Sequence, residues 1–371
     1  MADIADKIPG KRLISLDALR GFTIAAMVIV NDPGSWRYVY APLRHAEWNG
    51  CTVTDLIFPF FLFIVGVSIT FAYTKRLNAG VSMGKIHRKI IIRALIIYLL
   101  GLFLWLWPDF DFSSIRWTGV LQRISLVFLA CALLFLHTGW KQQILTGAVI
   151  LLAYWIIVAY VPVPGTGSPD LSLPGKNWAN YLDSLILPGV MWQETWDPEG
   201  ILSTFPAIVT GITGMLIGKL YLSVRDEYRR LSFIFFAGFS MFVAGGIWNW
   251  FFPINKSLWT SSYVLYTSGA GAMALAACIL IVDIWKHTRW TFLGRVYGAN
   301  AITSYVLAGM LTLVFYRLRF GGASLNEWFM SGLTPLGLDP RLVSMLYAVI
   351  YMLIIFLPAL YLYRKKIFIK V

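Results

Sequence analysis

Long apolar runs, separated by short polar segments, make up most of the chain. Because an α-helix rises 1.5 Å per residue, a run of about 20 apolar residues is long enough to cross the hydrocarbon of a bilayer. Ten such runs predict membrane-spanning helices at 13–31, 52–73, 90–107, 118–136, 143–161, 201–221, 231–251, 260–284, 291–316 and 341–363. The pattern predicts an all-α, polytopic membrane protein whose residues 1–371 form a single transmembrane domain.

The first predicted span contains a charged pair. Its uninterrupted apolar part, 21–30, is too short to cross a bilayer, so the span must include Asp17 and Arg20. These two residues are three positions apart, which places them on one helical face where they can pair. No small-residue cleavage site follows, so we expect an uncleaved first span and not a signal peptide.

Polar groups concentrate in two segments between the predicted helices. The segment 31–55 carries imidazole, carboxamide, carboxylate and indole groups within a short stretch. The longest non-apolar stretch, 162–200, is rich in Pro and Gly. Such polar groups are costly beside hydrocarbon, so their density in 31–55 indicates a functional site.

Composition and charge support a membrane protein. The chain is 58% hydrophobic and 13% charged, whereas a soluble domain is about 25% charged. The formal charge of +13 would suit a nucleic acid, but a surplus of Lys and Arg is also typical of the cytoplasmic loops of membrane proteins. The second explanation is the better one, so we expect the lipid bilayer as a partner and no nucleic acid.

The positive charges also predict an orientation. Placing both termini in the cytoplasm puts most of the 31 Lys and Arg residues on that side, as the positive-inside rule requires. Residues 1–12 then form a cytoplasmic tail, and 162–200 forms a long periplasmic loop. His45 and the turn 253–259 also face away from the cytoplasm.

The sequence offers few metal ligands. Its three cysteines, Cys51, Cys131 and Cys278, are too few and too scattered for a disulfide framework or a metal site. We therefore expect no bound metal.

His45 is the strongest candidate for chemistry. It is the one histidine of four that the predicted topology places on the non-cytoplasmic side. An imidazole can act as a general base near neutral pH or accept an acyl group. Asn31 could stabilise an oxyanion, or simply end a helix before a turn. Asp55 could orient His45 or bind a cationic amine, or simply favour a helix N-terminus.

Other polar residues have two interpretations each. Arg123 lies inside a predicted span and needs a carboxylate partner, so the sequence supports a structural ion pair and substrate binding equally. The same two roles are open for Lys256. A tryptophan at the membrane edge usually belongs to the aromatic belt, but it can also pack against a sugar ring. On this basis the candidate substrate-binding residues are Trp48, Asn49, Arg123, Asp197, Glu199 and Lys256. Arg20 and Arg295 lie within helices near the cytoplasm and could hold the phosphates of a nucleotide-like donor.

Six stretches of the chain match one family. They are Ser15-Leu16-Asp17-Ala18-Leu19-Arg20-Gly21 followed by Asn31, His45-Ala46-Glu47-Trp48-Asn49-Gly50 followed by Asp55, Gly119-Val120-Leu121-Gln122-Arg123, Asp197-Pro198-Glu199-Gly200, Asn255-Lys256-Ser257-Leu258-Trp259-Thr260, and Gly298-Ala299-Asn300-Ala301. Together they resemble the heparan-α-glucosaminide N-acetyltransferase family of transmembrane acyltransferases. The block that begins at His45 is specific, whereas Ser-Leu-Asp-x-x-Arg-Gly also occurs in other membrane acyltransferases.

The resemblance implies a function. It implies acetylation of the amine of a glucosamine-type sugar, with acetyl-CoA as donor, on the non-cytoplasmic side. His45 matches the family's proposed active histidine, and Asn31 matches its asparagine. The matched motifs also make Gln122 a candidate for substrate binding and Asn300 a candidate for donor binding. The chain looks most like bacterial members without an N-terminal luminal domain, which places it in the inner membrane.

Several alternatives stay open. A sugar transporter would also contain charges at mid-membrane and helices broken by Gly or Pro. An O-acyltransferase acting on an envelope glycan would need a stronger base, such as His45 supported by Asp55. Within the acetyltransferase hypothesis, His45 either deprotonates the amine or is itself acetylated first. A homodimer is a possible assembly.

Overall fold

A computed structural model describes residues 13–369, and helices form nearly all of the regular structure there. The predicted cytoplasmic tail, residues 1–12, lies outside the described residues. The helices are α1 (Ile14–Asn31), α2 (Val53–Asn78), α3 (Met83–Leu106), α4 (Val120–His137), α5 (Trp140–Tyr160), α6 (Trp178–Ile186), α7 (Ile201–Ser223), α8 (Glu227–Trp248), α9 (Ser261–Cys278), α10 (Phe292–Ala299), α11 (Ala301–Thr312), α12 (Leu325–Leu333) and α13 (Pro340–Arg364).

Within residues 13–369, nine helices are long and apolar enough to cross a membrane. They are α1 to α5, α7, α8, α13, and α9 together with the π-helical turn Ile279–Ile284 that extends it. The prediction of an all-α, polytopic protein is therefore confirmed. Two short helices, α6 and α12, lie in segments where the apolar pattern predicts only loops.

The tenth predicted span, 291–316, is not one continuous helix. The two helical segments that include α10 and α11 form a pair bent by 75°. Asn300 lies at the bend, where its φ of −134° and ψ of 51° leave the helical region. Its side chain donates to the Ile367 carbonyl at 3.0 Å and accepts from the Ile369 amide at 2.8 Å. A distant segment thus contributes to fixing the bend, which local hydropathy could not reveal.

The spans form an interior group and an outer group. The most apolar stretch of α7 is 72% buried inside the protein, whereas that of α8 is 17% buried. Large apolar side chains therefore cover the outer helices; Phe236 on α8, for example, is 69% exposed. A bilayer supplies the apolar surroundings that such a surface requires.

Glycines allow the closest helix contacts. A Cβ atom on Gly21 of α1 would lie 1.7 Å from the carbonyl oxygen of Gly294 in α10. Likewise, a Cβ on Gly66 of α2 would lie 2.0 Å from the carbonyl oxygen of Gly211 in α7. Small residues at such crossings let backbones approach and pack where lipid provides no hydrophobic drive. These contacts fix α1 and α2, and with them the ends of the 31–55 segment.

The chain path gathers the polar segments at one end of the bundle. Helices α1, α3, α5 and α8 end there, and α2, α4, α7 and α9 begin there. The four connections between them therefore lie at the same end; they are 32–52, 107–119, 161–200 and 249–260. We call this the loop end.

Candidate active site

His45 and Asp55 form a close pair at the loop end. The His45 Nδ1 atom lies 2.6 Å from Asp55 Oδ1. Because a carboxylate can only accept, Nδ1 is assigned the hydrogen and Nε2 keeps its lone pair. The Asp55 side chain is 1% exposed and the His45 side chain is 43% exposed. The imidazole is thus held from behind by a buried carboxylate and open in front.

The start of α2 positions this carboxylate. Asp55 Oδ2 accepts from the amides of Ala46 and Thr52, each at 3.0 Å. Asp55 and Thr52 together form a capping box, which satisfies amides that the first helical turn leaves unpaired. One oxygen of Asp55 therefore anchors the loop and the helix, while the other holds His45.

Lys256 completes this group. Its Nζ atom lies 3.0 Å from His45 Nδ1, 3.2 Å from His45 Nε2 and 3.8 Å from Asp55 Oδ1. Burial lowers the pKa of the Lys256 ammonium, while the Asp55 charge acts in the opposite direction. We call His45, Asp55 and Lys256 the imidazole cluster. It places a base and a proton donor side by side.

Trp48 and Asn49 hold the surrounding loops. The Trp48 indole and the Asn49 amide both donate to the Leu171 carbonyl, at 2.9 and 3.0 Å. Asn49 also accepts from the side chain of Asn255 at 3.0 Å, which ties it to the turn that carries Lys256. Trp48 packs edge-on against Trp196 with 5.4 Å between ring centroids. The structure therefore places both residues in the wall beside the imidazole cluster.

Arg116 binds two carboxylates near the end of the 161–200 connection. Its guanidinium contacts both oxygens of Asp197 and one of Glu199, each at 2.6 Å. Burial alone would raise the pKa of Asp197, but the bonds to Arg116 outweigh it and hold that pKa below its usual range. The sequence signal for Arg116 was its charge on the side of the membrane where cations are scarce.

Arg123 contacts no carboxylate within residues 13–369, contrary to the structural ion pair weighed from sequence. It is 1% exposed, donates to Ser203 Oγ at 2.5 Å, and lies over the Trp259 ring at 5.1 Å. Its Nε and Nη1 atoms have no hydrogen-bond partner in the described part of the chain. Arg116 binds two of the carboxylates that the sequence analysis considered as partners of Arg123.

A cavity of about 270 Å³ opens beside these residues. We call it the central cavity, and its polar or titratable lining residues are Asn31, Asp32, Arg116, Thr118, Gln122, Tyr305 and Thr312. Asn31 and Gln122 were named from the sequence, but the other five were missed. The lining of this cavity does not include His45, Asp55 or Lys256. Arg116 lies between them, since it lines the cavity and also binds Glu199.

The candidate donor-binding residues lie away from the loop end. The Asp17–Arg20 pair is confirmed, with 3.1 Å between Arg20 Nη1 and Asp17 Oδ1, and Arg20 also donates to Ser68 at 2.7 Å. Arg20 is eleven residues before Asn31 on α1, a distance of about 17 Å along the helix. The Nε atom of Arg295 is buried and has no hydrogen-bond partner among residues 13–369. The side chain of Asn300 is already bonded to the C-terminal segment.

The arrangement agrees with a family match over most of the chain. The family model for the catalytic region of heparan-alpha-glucosaminide N-acetyltransferase matches residues 12–229. The chain belongs to this family. It is 29% identical to the heparan-alpha-glucosaminide N-acetyltransferase of Homo sapiens over 354 residues, and 30% identical to that of Mus musculus over 355 residues.

The match to these family members covers 80% of the chain in both cases. It covers 52% of the human relative and 53% of the mouse relative. The chain thus spans about half the length of the curated relatives it matches. The family match includes Asn31, His45 and Asp55, and it ends before Lys256.

Proposed function

We propose that the protein transfers an acetyl group from acetyl-CoA to the amine of a glucosamine-type sugar. The observation that carries this proposal is the 2.6 Å bond between His45 and Asp55, in a chain of this acetyltransferase family. The bond orients the half-exposed imidazole at the loop end, where Nε2 lies 3.2 Å from Lys256 Nζ. Membership of the family supports the reaction type, and the relatives' names support the amino sugar as acceptor.

In the direct route, the amine nitrogen attacks the thioester carbonyl carbon while His45 Nε2 takes a proton from that nitrogen. The new C–N bond gives a tetrahedral intermediate with a negative oxygen. Asn31 donates to this oxygen, a type of contact worth about 3 kcal/mol in known enzymes. The C–S bond then breaks, and the thiolate leaves with the proton that His45 held.

In the two-step route, Nε2 attacks the thioester carbon, the C–S bond breaks, and the thiolate leaves an acetylated imidazole. The amine then attacks the acetyl carbon, the bond from that carbon to Nε2 breaks, and the amine proton passes to the thiolate. The bond from Nδ1 to Asp55 supports both routes, because it stabilises a positive imidazole in either case. Incubation with labelled acetyl-CoA and no sugar separates them. Label on His45 supports the two-step route, and an unlabelled protein supports direct transfer.

The two ends of the bundle fit two substrates from opposite sides. We propose that the sugar enters from the periplasm at the loop end and that the donor enters from the cytoplasm near Arg20 and Arg295. A donor bound there must extend along α1 to reach Asn31. The side chain of Asn300 becomes available to the donor only if the C-terminal segment moves. This orientation corresponds to a bacterial inner-membrane protein.

The same dyad supports a second candidate, an O-acyltransferase acting on an envelope glycan. A hydroxyl is harder to deprotonate than an amine, and a histidine backed by a buried carboxylate is the base that it requires. Purified protein incubated with acetyl-CoA and glucosamine tests both. Mass spectrometry should show an amide that resists mild alkali; an ester that mild alkali cleaves would overturn N-acetylation.

A further inference from the structure

Asp32 is a buried carboxyl that faces the central cavity without a partner. It directly follows the last residue of α1, is 8% exposed, and lines the cavity next to Asn31. Within residues 13–369, no cation and no hydrogen-bond donor contacts its carboxyl group. Neither the family match nor the sequence motifs give this residue a role.

The position of Asp32 is unfavourable for a negative charge. The C-terminal end of a helix carries partial negative charge, which repels an anion there. Burial removes water from the carboxylate, and this raises the pKa of Asp32 to about 8. A group in such a place is stabilised by a ligand that brings a positive charge.

The neighbouring side chains do not supply that charge. Arg116 lines the same cavity, but Asp197 and Glu199 occupy its guanidinium. The other titratable groups near Asp32 are tyrosines of α11, of its π-helical extension and of α13, namely Tyr305, Tyr316, Tyr347 and Tyr351.

Three of these tyrosines use their hydroxyl hydrogens elsewhere. Tyr316, Tyr347 and Tyr351 donate to backbone carbonyls, those of Pro33, Phe315 and Ala308. Tyr305 lines the cavity itself. Apart from the paired Arg116, the surroundings of Asp32 are therefore apolar or neutral, and a cavity of about 270 Å³ opens beside it.

We propose that Asp32 binds the ammonium group of the acceptor in the central cavity and takes one proton from it. This inference rests on the proposed function and names the group that recognises the amine. The sugar amine is protonated at neutral pH, and a protonated nitrogen has no lone pair for attack. Transfer of one N–H proton to the Asp32 carboxylate leaves a free amine and a neutral carboxyl.

The acetyl transfer itself releases the second proton from the nitrogen. The free amine attacks the thioester carbon, and the second proton passes from nitrogen through His45 to the leaving thiolate. The products are the amide, the thiol and a protonated Asp32, which releases its proton to solvent before the next cycle. Asp32 also favours an amine over a hydroxyl, because only the amine brings the positive charge.

Binding measured without acetyl-CoA tests this role separately from catalysis. We would titrate glucosamine, and glucose as its hydroxyl counterpart, into the full chain in detergent by calorimetry at pH 8, where a carboxyl with a pKa of about 8 is partly ionised. A charge-assisted contact predicts that the wild type prefers glucosamine by at least about tenfold. Asp32→Asn should reduce this preference to about threefold or less, and Asp32→Glu should retain more of it than Asp32→Asn.

The control is Asp109→Asn, which removes an exposed carboxylate paired with Arg317 on the surface; it should keep the wild-type preference. Equal binding of both sugars by the wild type would overturn the inference, and so would an Asp32→Asn protein that still prefers glucosamine. Thiol release is measured in parallel. Preferential binding without thiol release would leave the inference standing and reject the proposed acetyl transfer.

Discussion

At the scale of single residues, His45 depends on how Asp55 is held. The carboxylate has two oxygens with separate tasks: one caps α2 and anchors Ala46, and the other accepts from the imidazole. Burial of Asp55 keeps water from competing for either bond. The orientation of the imidazole is therefore built into the first turn of a membrane span.

This division of tasks predicts the effect of Asp55→Asn. Asparagine keeps one side-chain oxygen that can accept from the Ala46 and Thr52 amides, so α2 should form normally. The amide no longer supports a positive imidazole, so we expect the acetyl-transfer rate to fall by about 100-fold or more. Asp226→Asn is the control for removing a carboxylate at a helix N-terminus, because Asp226 accepts from the Arg229 amide at the start of α8. An Asp55→Asn enzyme within twofold of wild type would remove Asp55 from the mechanism.

Asp32 predicts a pH dependence of stability. Burial raises the pKa of the Asp32 carboxyl from its ordinary value of 3.8 to about 8 in the folded protein. The folded state therefore favours the neutral carboxyl. The contribution of Asp32 to the free energy of unfolding is fully present below about pH 4 and is lost as the pH rises through 8. Thermal unfolding without ligand should show Asp32→Asn gaining stability over wild type as pH rises from 5 to 8. A difference that does not change with pH would contradict this.

At the scale of the elements, hydropathy predicted most of the membrane-spanning helices, because an apolar run is visible in the local sequence and does not depend on residues far along the chain. The bend at Asn300 escaped that reasoning, since Ile367 and Ile369 bind its side chain from far along the chain. The same holds for Arg116, whose partner Asp197 is 81 residues away. A local pattern predicts a helix, but it cannot show which loop returns to meet it.

The crossing of α1 and α10 can be tested at Gly21. Adding a methyl group there would bring it to 1.7 Å from the Gly294 carbonyl, so the helices must separate. We expect Gly21→Ala to destabilise the protein by about 1–3 kcal/mol in thermal unfolding. Gly246→Ala is the control, since nothing lies within 4 Å of the added methyl in α8. Equal stability of the two variants would show that the crossing is not close.

At the scale of the whole molecule, alternation of the spans collects the polar connections at one end. The 31–55 segment could be predicted as a candidate site from sequence because its polar residues are dense and close together in the chain. The central cavity could not be recognised, because Asp32, Arg116 and Tyr305 come from three separate regions. Asp32 stood within the motif-rich segment, but nothing in the sequence showed that it would be buried without a partner.

The predicted orientation assigns the loop end to the periplasm. In a variant lacking the native cysteines, Lys176→Cys in the 161–200 connection should react with a membrane-impermeant maleimide in intact cells. Lys85→Cys, near the start of α3, should react only after the membrane is opened. Both positions are exposed. The reverse labelling pattern would place the sugar site in the cytoplasm and contradict the two-sided mechanism.

The central claim is that the His45 imidazole performs acetyl transfer. The most direct test is thiol release from acetyl-CoA by purified protein with glucosamine, compared between wild type, His45→Ala and the control His287→Ala. We predict glucosamine-dependent release by wild type and by His287→Ala, and a loss of about 100-fold or more in His45→Ala. A folded His45→Ala protein that releases thiol at the wild-type rate would contradict the mechanism.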